Sequence, residues 1–359
     1  MKITIVGGGN IGTQFAVHCA EKGYCVTVYT STPELFDGYL NIVDESGVVT
    51  HEGFIDCATD DPEVAFRNTD FIMVAVPSTT MGTIADTIYI HADSKPVIGV
   101  GAGNGGSECM FRKCIERGNV FFGLERVPAV ARLVQKGKTV RSVGYRQELH
   151  VAALPKTKAS ECAEFIGNIF DKPCKVIPNF LNLTMTPSNP ILHTARLKTL
   201  FGNWHKGMIY EKVPLFYEEW DNASSELLLA CDDEVQNICR ALPEFDLKYV
   251  KSLREYYESP TAELMTRKIS SIPAFKGLIT PTTNVDGGFI PDLHSRYFTA
   301  DFSYGLAIIK QVADFAGVKT PNIDASMAWY RSVAVEKNEF RFKDYGVFNR
   351  ADFEKFYSI

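Results

Sequence analysis

The chain has 359 residues, too long for one comfortable hydrophobic core and suited to two domains. Apolar residues make up 45% and charged residues 22%, and the net charge is −6, which excludes the basic character of a nucleic-acid binder. No apolar run is long enough to span a bilayer, and Met1-Lys2 leads straight into a strand without a signal peptide. A cytoplasmic protein without nucleic-acid or membrane partners is expected. The nine cysteines are odd in number and scattered, with no Cys-x-x-Cys. Neither a disulfide framework nor a thiolate zinc site fits that pattern.

The first elements are the most telling. Ile3 to Val6 form a β-branched run that meets Gly7-x-Gly9-x-x-Gly12, and a helix follows over 12–22, ending at Gly23. A second strand follows at Cys25 to Tyr29. Strand, glycine turn and helix in this order form a dinucleotide-binding fingerprint. Gly7 makes the tight turn, Gly9 lets backbone approach a pyrophosphate, and Gly12 lets the helix lie close to the strand. The backbone of Asn10 and Ile11 completes the helix N-terminus on which a pyrophosphate sits.

Further along, residues 47–57 read as a strand pair turning at Glu52-Gly53. Asp61-Pro62 opens a short helix. Asp70 to Val76 and Val97 to Val100 are nearly continuous apolar runs, as central parallel strands are. Their following loops contain Val76-Pro77 and Asn104, at strand carboxyl ends where such sheets bind ligands. Residues 138–153 read as an antiparallel pair, and helix 157–170 and strand 174–178 close this half. After Pro187 the pattern turns helical, with candidates at 190–210, 222–241, 246–257, 260–271, 302–316 and 324–336. The expected fold is α/β, an N-terminal Rossmann domain over 1–183 followed by an all-helical domain over 184–359.

Two segments stand out in the second half. In Asn189-Pro190-Ile191-Leu192-His193-Thr194-Ala195-Arg196, Asn189 suits an N-cap and Pro190 the first helical position, so His193 falls in a first helical turn. In Ser295-Arg296-Tyr297-Phe298-Thr299-Ala300-Asp301, an arginine precedes an aspartate by five residues at a helix start. Taken singly, each residue also suits an ordinary surface or capping role. The aromatic groups Trp204-His205 and Phe216-Tyr217-x-x-Trp220 read as helix packing, or as one wall of a pocket. Asp232-Asp233-Glu234 reads as a solvated face. His18, His51, His91, His150 and His294 form no ligand pattern, and no metal site is expected.

These motifs, with Glu125-Arg126-Val127-Pro128-Ala129-Val130-Ala131-Arg132, make the chain resemble the octopine/nopaline (opine) dehydrogenase family over its length. The resemblance implies NAD(P)H-dependent reductive condensation of an amino acid with an α-keto acid, and the reverse. It implies that His193 is the catalytic acid/base, Asp301 its partner acid and Arg296 an arginine of the active-site cleft. Asn189 corresponds to the family's asparagine four residues before the histidine, and Arg196 shares a helix face with His193 and is a weaker substrate candidate. A histidine exchanges protons near neutral pH, an aspartate fixes its tautomer, and an arginine fork holds a carboxylate.

The second strand ends Tyr29-Thr30-Ser31 without the carboxylate usual for NAD. The balance favours NADP over NAD, with Thr30 and Ser31 toward the ribose. The remaining expectations are small-molecule substrates and a monomer or homodimer. Two rival readings are a ketopantoate-reductase-like 2-hydroxy acid dehydrogenase, which would rely on a lysine in the second half where none occupies the His193 position though Lys198 is near, and a non-catalytic NAD(P)-sensing module.

Overall fold

A computed structural model describes residues 1–335 and 338–358. It divides into two compact units, Met1–Leu183 together with Tyr357 and Ser358, and Thr184–Phe356.

The first unit contains strands β1 (Lys2–Val6), β2 (Cys25–Tyr29), β3 (Tyr39–Val43), β4 (Val49–Phe54), β5 (Cys57–Thr59), β6 (Phe71–Val74), β7 (Val97–Val100), β8 (Phe121–Leu124), β9 (Val130–Gln135), β10 (Thr139–Val143), β11 (Leu149–Leu154) and β12 (Cys174–Val176). Eight of them form one sheet in the order β12-β11-β8-β7-β6-β1-β2-β5. From β8 to β5 the neighbours are parallel, while β11 runs antiparallel to β8. The loops after β1, β2, β6 and β7 therefore leave the same end of the sheet, and the chain order reverses direction beside β1.

A second sheet, β4-β3-β10-β9, changes the setting of the first helix, Asn10–Glu21. Every residue from Gly12 to Cys19 is buried, so the helix is covered on all sides rather than amphipathic. Two of its buried polar side chains find partners in this sheet and the strand end beyond it: Gln14 donates to Ser142 Oγ at 2.8 Å, and the His18 ring meets the Tyr145 hydroxyl at 3.0 Å.

This sheet overturns two expected pairings. The turn of the first hairpin lies at 44–48, where Asp44 Oδ1 accepts from the amides of Ser46 and Val48, and β4 pairs with β3. Gly53 sits inside β4. It is needed there because a Cβ would lie 2.7 Å from Ala20 Cβ on the helix beneath. Likewise β10 and β11 belong to different sheets, β10 pairing with β9 through the turn around Gly137 (φ +74°). The Asp61 cap is as expected, its side chain accepting from Glu63 N.

In the second unit, helices Ser188–Phe201, Asn222–Arg240, Ala262–Ser271, Ala307–Ala316, Pro321–Val333 and Arg350–Tyr357 dominate. One hairpin, Thr282–Val285 with Gly288–Pro291, turns at Asp286-Gly287. The helix expected to 210 stops at Gly202, and that expected over 246–257 shrinks to Leu253–Tyr256, capped by Ser252. The helix expected over 324–336 spans Pro321–Val333, and residue 336 lies outside the described residues. Asp232 and Glu234 are buried rather than solvated. Asp232 accepts from Leu253 N at 2.8 Å, and Glu234 holds the amides of Asn322 and Ile323 at the start of Pro321–Val333. Tyr357 returns to the first unit, where its hydroxyl donates to the buried Glu108 carboxylate and its carbonyl accepts from Asn179 Nδ2.

Gly53→Val overpacks the contact between β4 and Ala20. Its expected cost is on the order of 2 kcal/mol in urea denaturation. An unchanged midpoint would show that β4 does not press on the helix.

Candidate active site

The nucleotide fingerprint is built by close approach. Gly7 turns off β1 with φ +105°, and a Cβ there would lie 2.7 Å from the Ala75 carbonyl. A Cβ at Gly12 would lie 1.7 Å from the Gly7 carbonyl, so the helix rests directly on the turn. At Gly9 a Cβ would meet nothing within 4 Å, which leaves open space before the helix end. The first intrahelical bond is Thr13 N to Gly9 O, so the amides of Asn10, Ile11 and Gly12 are the helix's leading donors. This glycine cradle at a free helix N-terminus fits a pyrophosphate.

The other expected nucleotide residues, Thr30, Ser31, Val76, Pro77 and Asn104, stand at that same end of the sheet. Ser31 and Pro77 are exposed, and Thr30 is buried. The Asn10 side chain is turned toward the second sheet: its Oδ1 accepts from Leu133 N at 2.7 Å.

The second unit assembles the catalytic candidates. Helix Ser188–Phe201 begins one residue before Asn189, which is exposed in its first turn and caps nothing, with Pro187 at the N-cap position. His193 follows in the second turn and is 3% exposed. Arg296 opens a single helical turn, Arg296–Thr299, and a π-turn follows over Phe302–Leu306, with Leu306 N bonded to Asp301 O at 2.8 Å. Single π-turns of this kind collect at functional sites. This turn presses on the histidine helix, and a Cβ at Gly305 would lie 2.8 Å from Pro190 Cγ.

Packed this way, residues 108 positions apart meet: His193 Nδ1 lies 2.7 Å from Asp301 Oδ2. The other ring nitrogen, Nε2, lies 2.7 Å from the Tyr217 hydroxyl. Tyr297 and Phe216 pack edge-on to the imidazole at centroid distances of 4.5 and 5.7 Å. The carboxylate fixes the proton on Nδ1, so Nε2 accepts from the phenol. Burial, reinforced by Tyr297, pushes the Tyr217 phenol well above its usual range, so it stays protonated.

Tyr217 is the member that sequence reasoning missed. It sat in an aromatic cluster assigned to helix packing, yet residues 215–221 form no regular helix. Arg296, in contrast, is exposed, and its guanidinium lies 5.7 Å from the centroid of the Tyr297 ring.

Arg196 does not line a substrate surface. It is fully buried, and its guanidinium donates to Phe216 O, Leu215 O, Glu219 O, Ser224 Oγ and Asp221 Oδ2. A shared helix face pointed it inward with His193, but its fork is spent holding the 215–221 loop and Ser224 of the helix that follows. Arg196 therefore positions Tyr217.

Known proteins resemble both units. Residues 176–334 match the family model for the NAD/NADP octopine/nopaline dehydrogenase α-helical domain, and residues 2–105 match the NAD-dependent glycerol-3-phosphate dehydrogenase N-terminus. An octopine dehydrogenase from Mizuhopecten yessoensis is 26% identical over 92% of this chain and 89% of its own. An opine dehydrogenase from Arthrobacter sp. (strain 1C) is 25% identical over 89% of this chain and 87% of its own. The solved octopine dehydrogenase with NADH and L-arginine superposes with a TM-score of 0.84 at 23% identity, covering 98% of this chain and 97% of the other.

Replacing Arg196 by Met leaves buried carbonyls without donors. The expected result is a loss on the order of 3 kcal/mol in stability, read in urea, with the Michaelis constants little changed in the protein that remains folded. A raised KM at unchanged stability would return Arg196 to the substrate. The second unit thus matches the octopine/nopaline dehydrogenase α-helical domain, and the near full-length relatives at 25–26% identity are octopine and opine dehydrogenases.

Proposed function

We propose that this protein catalyses the NAD(P)H-dependent reductive condensation of an amino acid with an α-keto acid, such as pyruvate or 2-oxoglutarate, and the reverse reaction. The product is an N-(carboxyalkyl)amino acid. The observation that carries this reading is the hydrogen-bonded series Asp301–His193–Tyr217 within the family's helical domain. The relatives named octopine and opine dehydrogenase support it.

The residues suit the proton work of this reaction. The incoming ammonium must lose a proton before its nitrogen attacks the keto carbon, and the departing hydroxyl must gain one to leave as water. His193 does both, and the Asp301 carboxylate stabilises the imidazolium that forms between the two steps. Nδ1 keeps its proton toward Asp301 and Nε2 accepts from the phenol, so the proton enters or leaves the ring at Nε2 by way of the Tyr217 hydroxyl, which passes on one proton as it takes up another. Arg296, exposed and without an ion-pair partner among the described residues, binds a substrate carboxylate through its fork. Asn189, exposed in the first turn of the histidine helix, is the second polar candidate for substrate.

The glycine turn with Asn10, Ile11 and Gly12 would hold the pyrophosphate, with Thr30 and Ser31 toward the ribose and Val76, Pro77 and Asn104 at the neighbouring strand ends. The cofactor, when bound, supplies the hydride that reduces the imine. The lack of a carboxylate at Tyr29-Thr30-Ser31 supports NADP in preference to NAD. The same reading divides the chain at 183/184 and makes it a cytoplasmic monomer or homodimer. Lys198 offers little to a ketopantoate-reductase-like reaction, because its ammonium lies over the Trp329 ring at 5.5 Å.

Oxidation of NADPH or NADH, followed with a keto acid and a panel of amino acids, is expected to require both substrates. Oxidation by the keto acid alone would favour the hydroxy-acid rival, and no turnover with any pair would favour a sensing module. His193→Gln is expected to lose at least about a hundredfold in kcat while binding nucleotide normally. Tyr217→Phe, which keeps the ring packing and removes only the hydroxyl, is expected to lose about tenfold in kcat with KM little changed. Turnover within twofold of wild type in the phenylalanine variant would exclude the phenol from the proton path.

A further inference from the structure

The covered helix of the first unit carries a group of side chains that the proposed reaction does not use. His18 and Glu21 lie one turn apart at its C-terminal end, and His51 reaches them from β4. His51 Nδ1 lies 2.8 Å from Glu21 Oε2, and His18 Nδ1 lies 4.0 Å from the same oxygen. One donor atom from each residue falls within 4.8 Å of the others. Gly53 makes this possible, because β4 descends onto the helix two residues after His51.

We infer that His18, Glu21 and His51 form a binding site for a divalent transition-metal ion of the zinc class. Tetrahedral zinc with nitrogen and oxygen ligands at about 2.0–2.1 Å separates its ligand atoms by roughly 3.3 Å. The observed 2.8 and 4.0 Å bracket that spacing. Two imidazoles select zinc, nickel, copper or cobalt over magnesium and calcium, which prefer oxygen.

The surroundings prepare the ligands. His18 is 3% exposed, and its ring is held among Phe170, His51 and Tyr145, at centroid distances of 4.8, 4.5 and 5.7 Å. When the Tyr145 oxygen accepts the proton of Nε2, Nδ1 becomes a bare lone pair facing the Glu21 carboxylate. A carboxylate 4.0 Å away is beyond hydrogen-bond reach of that nitrogen, so the two acceptors face a common point. Burial and the neighbouring His51, with a smaller contribution from Lys22, outweigh Asp171 and hold the His18 imidazole down to about 3. The ring is thus neutral, as a ligand must be, throughout the range in which cells work. Glu21 and His51 are 37% and 33% exposed in their side chains, which gives an ion a path in and leaves a position for water. Binding displaces the proton that His51 Nδ1 donates to Glu21. The ion would tie the nucleotide helix to the second sheet.

The test is equilibrium dialysis of the full chain against micromolar zinc, with bound metal counted per chain, and with magnesium as a second arm. Wild type is expected to bind one zinc that His51→Gln and Glu21→Gln each lose, while circular dichroism and the melting temperature without metal stay unchanged. The wild-type melting temperature should rise with zinc and the variants' should not. Equal zinc in wild type and variants, no zinc in wild type, or equal retention of magnesium would overturn the site. Cobalt(II) on the wild-type chain gives a readout independent of the variants. Visible d–d bands without a thiolate charge-transfer band support imidazole and carboxylate ligands, whereas a thiolate band assigns the metal to cysteine.

Discussion

The approach of the π-turn to the histidine helix is the constraint on which the geometry of the candidate site rests. Helix packing distances follow the side chains between the axes, and a glycine opposite a proline ring gives a close contact. With Gly305 against Pro190, Asp301 comes within a hydrogen bond of His193 although more than a hundred residues separate them. An ordinary α-turn over 302–306 would rotate the preceding residue by a different angle. The extra residue in that turn is therefore part of how the carboxylate is aimed.

A second layer holds the opposite side of the imidazole. Arg196 is fixed to the 215–221 loop by four hydrogen-bond acceptors, with a fifth at Ser224 in the following helix, and that loop presents Tyr217. Two residues three apart on one helix thus divide the work: His193 meets Asp301 and Tyr217, and Arg196 holds the loop that presents the phenol. The buried guanidinium keeps Asp221 as its ion partner, and Asp221 also caps helix Asn222–Arg240 through Ser224 N. The anchoring of the Tyr217 loop and the initiation of that helix share one carboxylate.

The nucleotide half was legible because its signals are local. Strand, glycine turn and helix follow one another within a dozen residues, and the buried parallel strands are nearly unbroken apolar runs. The second sheet was not legible, since β10 finds its neighbours at β9 and β3, and no local pattern records a pairing across a hundred residues. Gly53 was read as a turn residue when it marks a close approach, two uses of glycine that look alike in sequence. His193, Asp301 and Arg296 came from their motifs. Tyr217 could not, because an aromatic cluster has the same appearance whether it packs a core or meets a catalytic ring. His18 and His51 share no spacing that suggests a ligand pair, and only the fold of β4 over the helix brings them together.

The bond between Tyr357 and Glu108 has a consequence for biosynthesis. Glu108 is wholly buried in the nucleotide-binding unit, and the hydroxyl it uses arrives from the far end of the chain. During translation the first 183 residues emerge long before residue 357. Until then the nascent unit holds a buried carboxylate without this phenol beside it. The half of the protein made first is thus the half completed last, and its final locking waits for the helical unit to leave the ribosome.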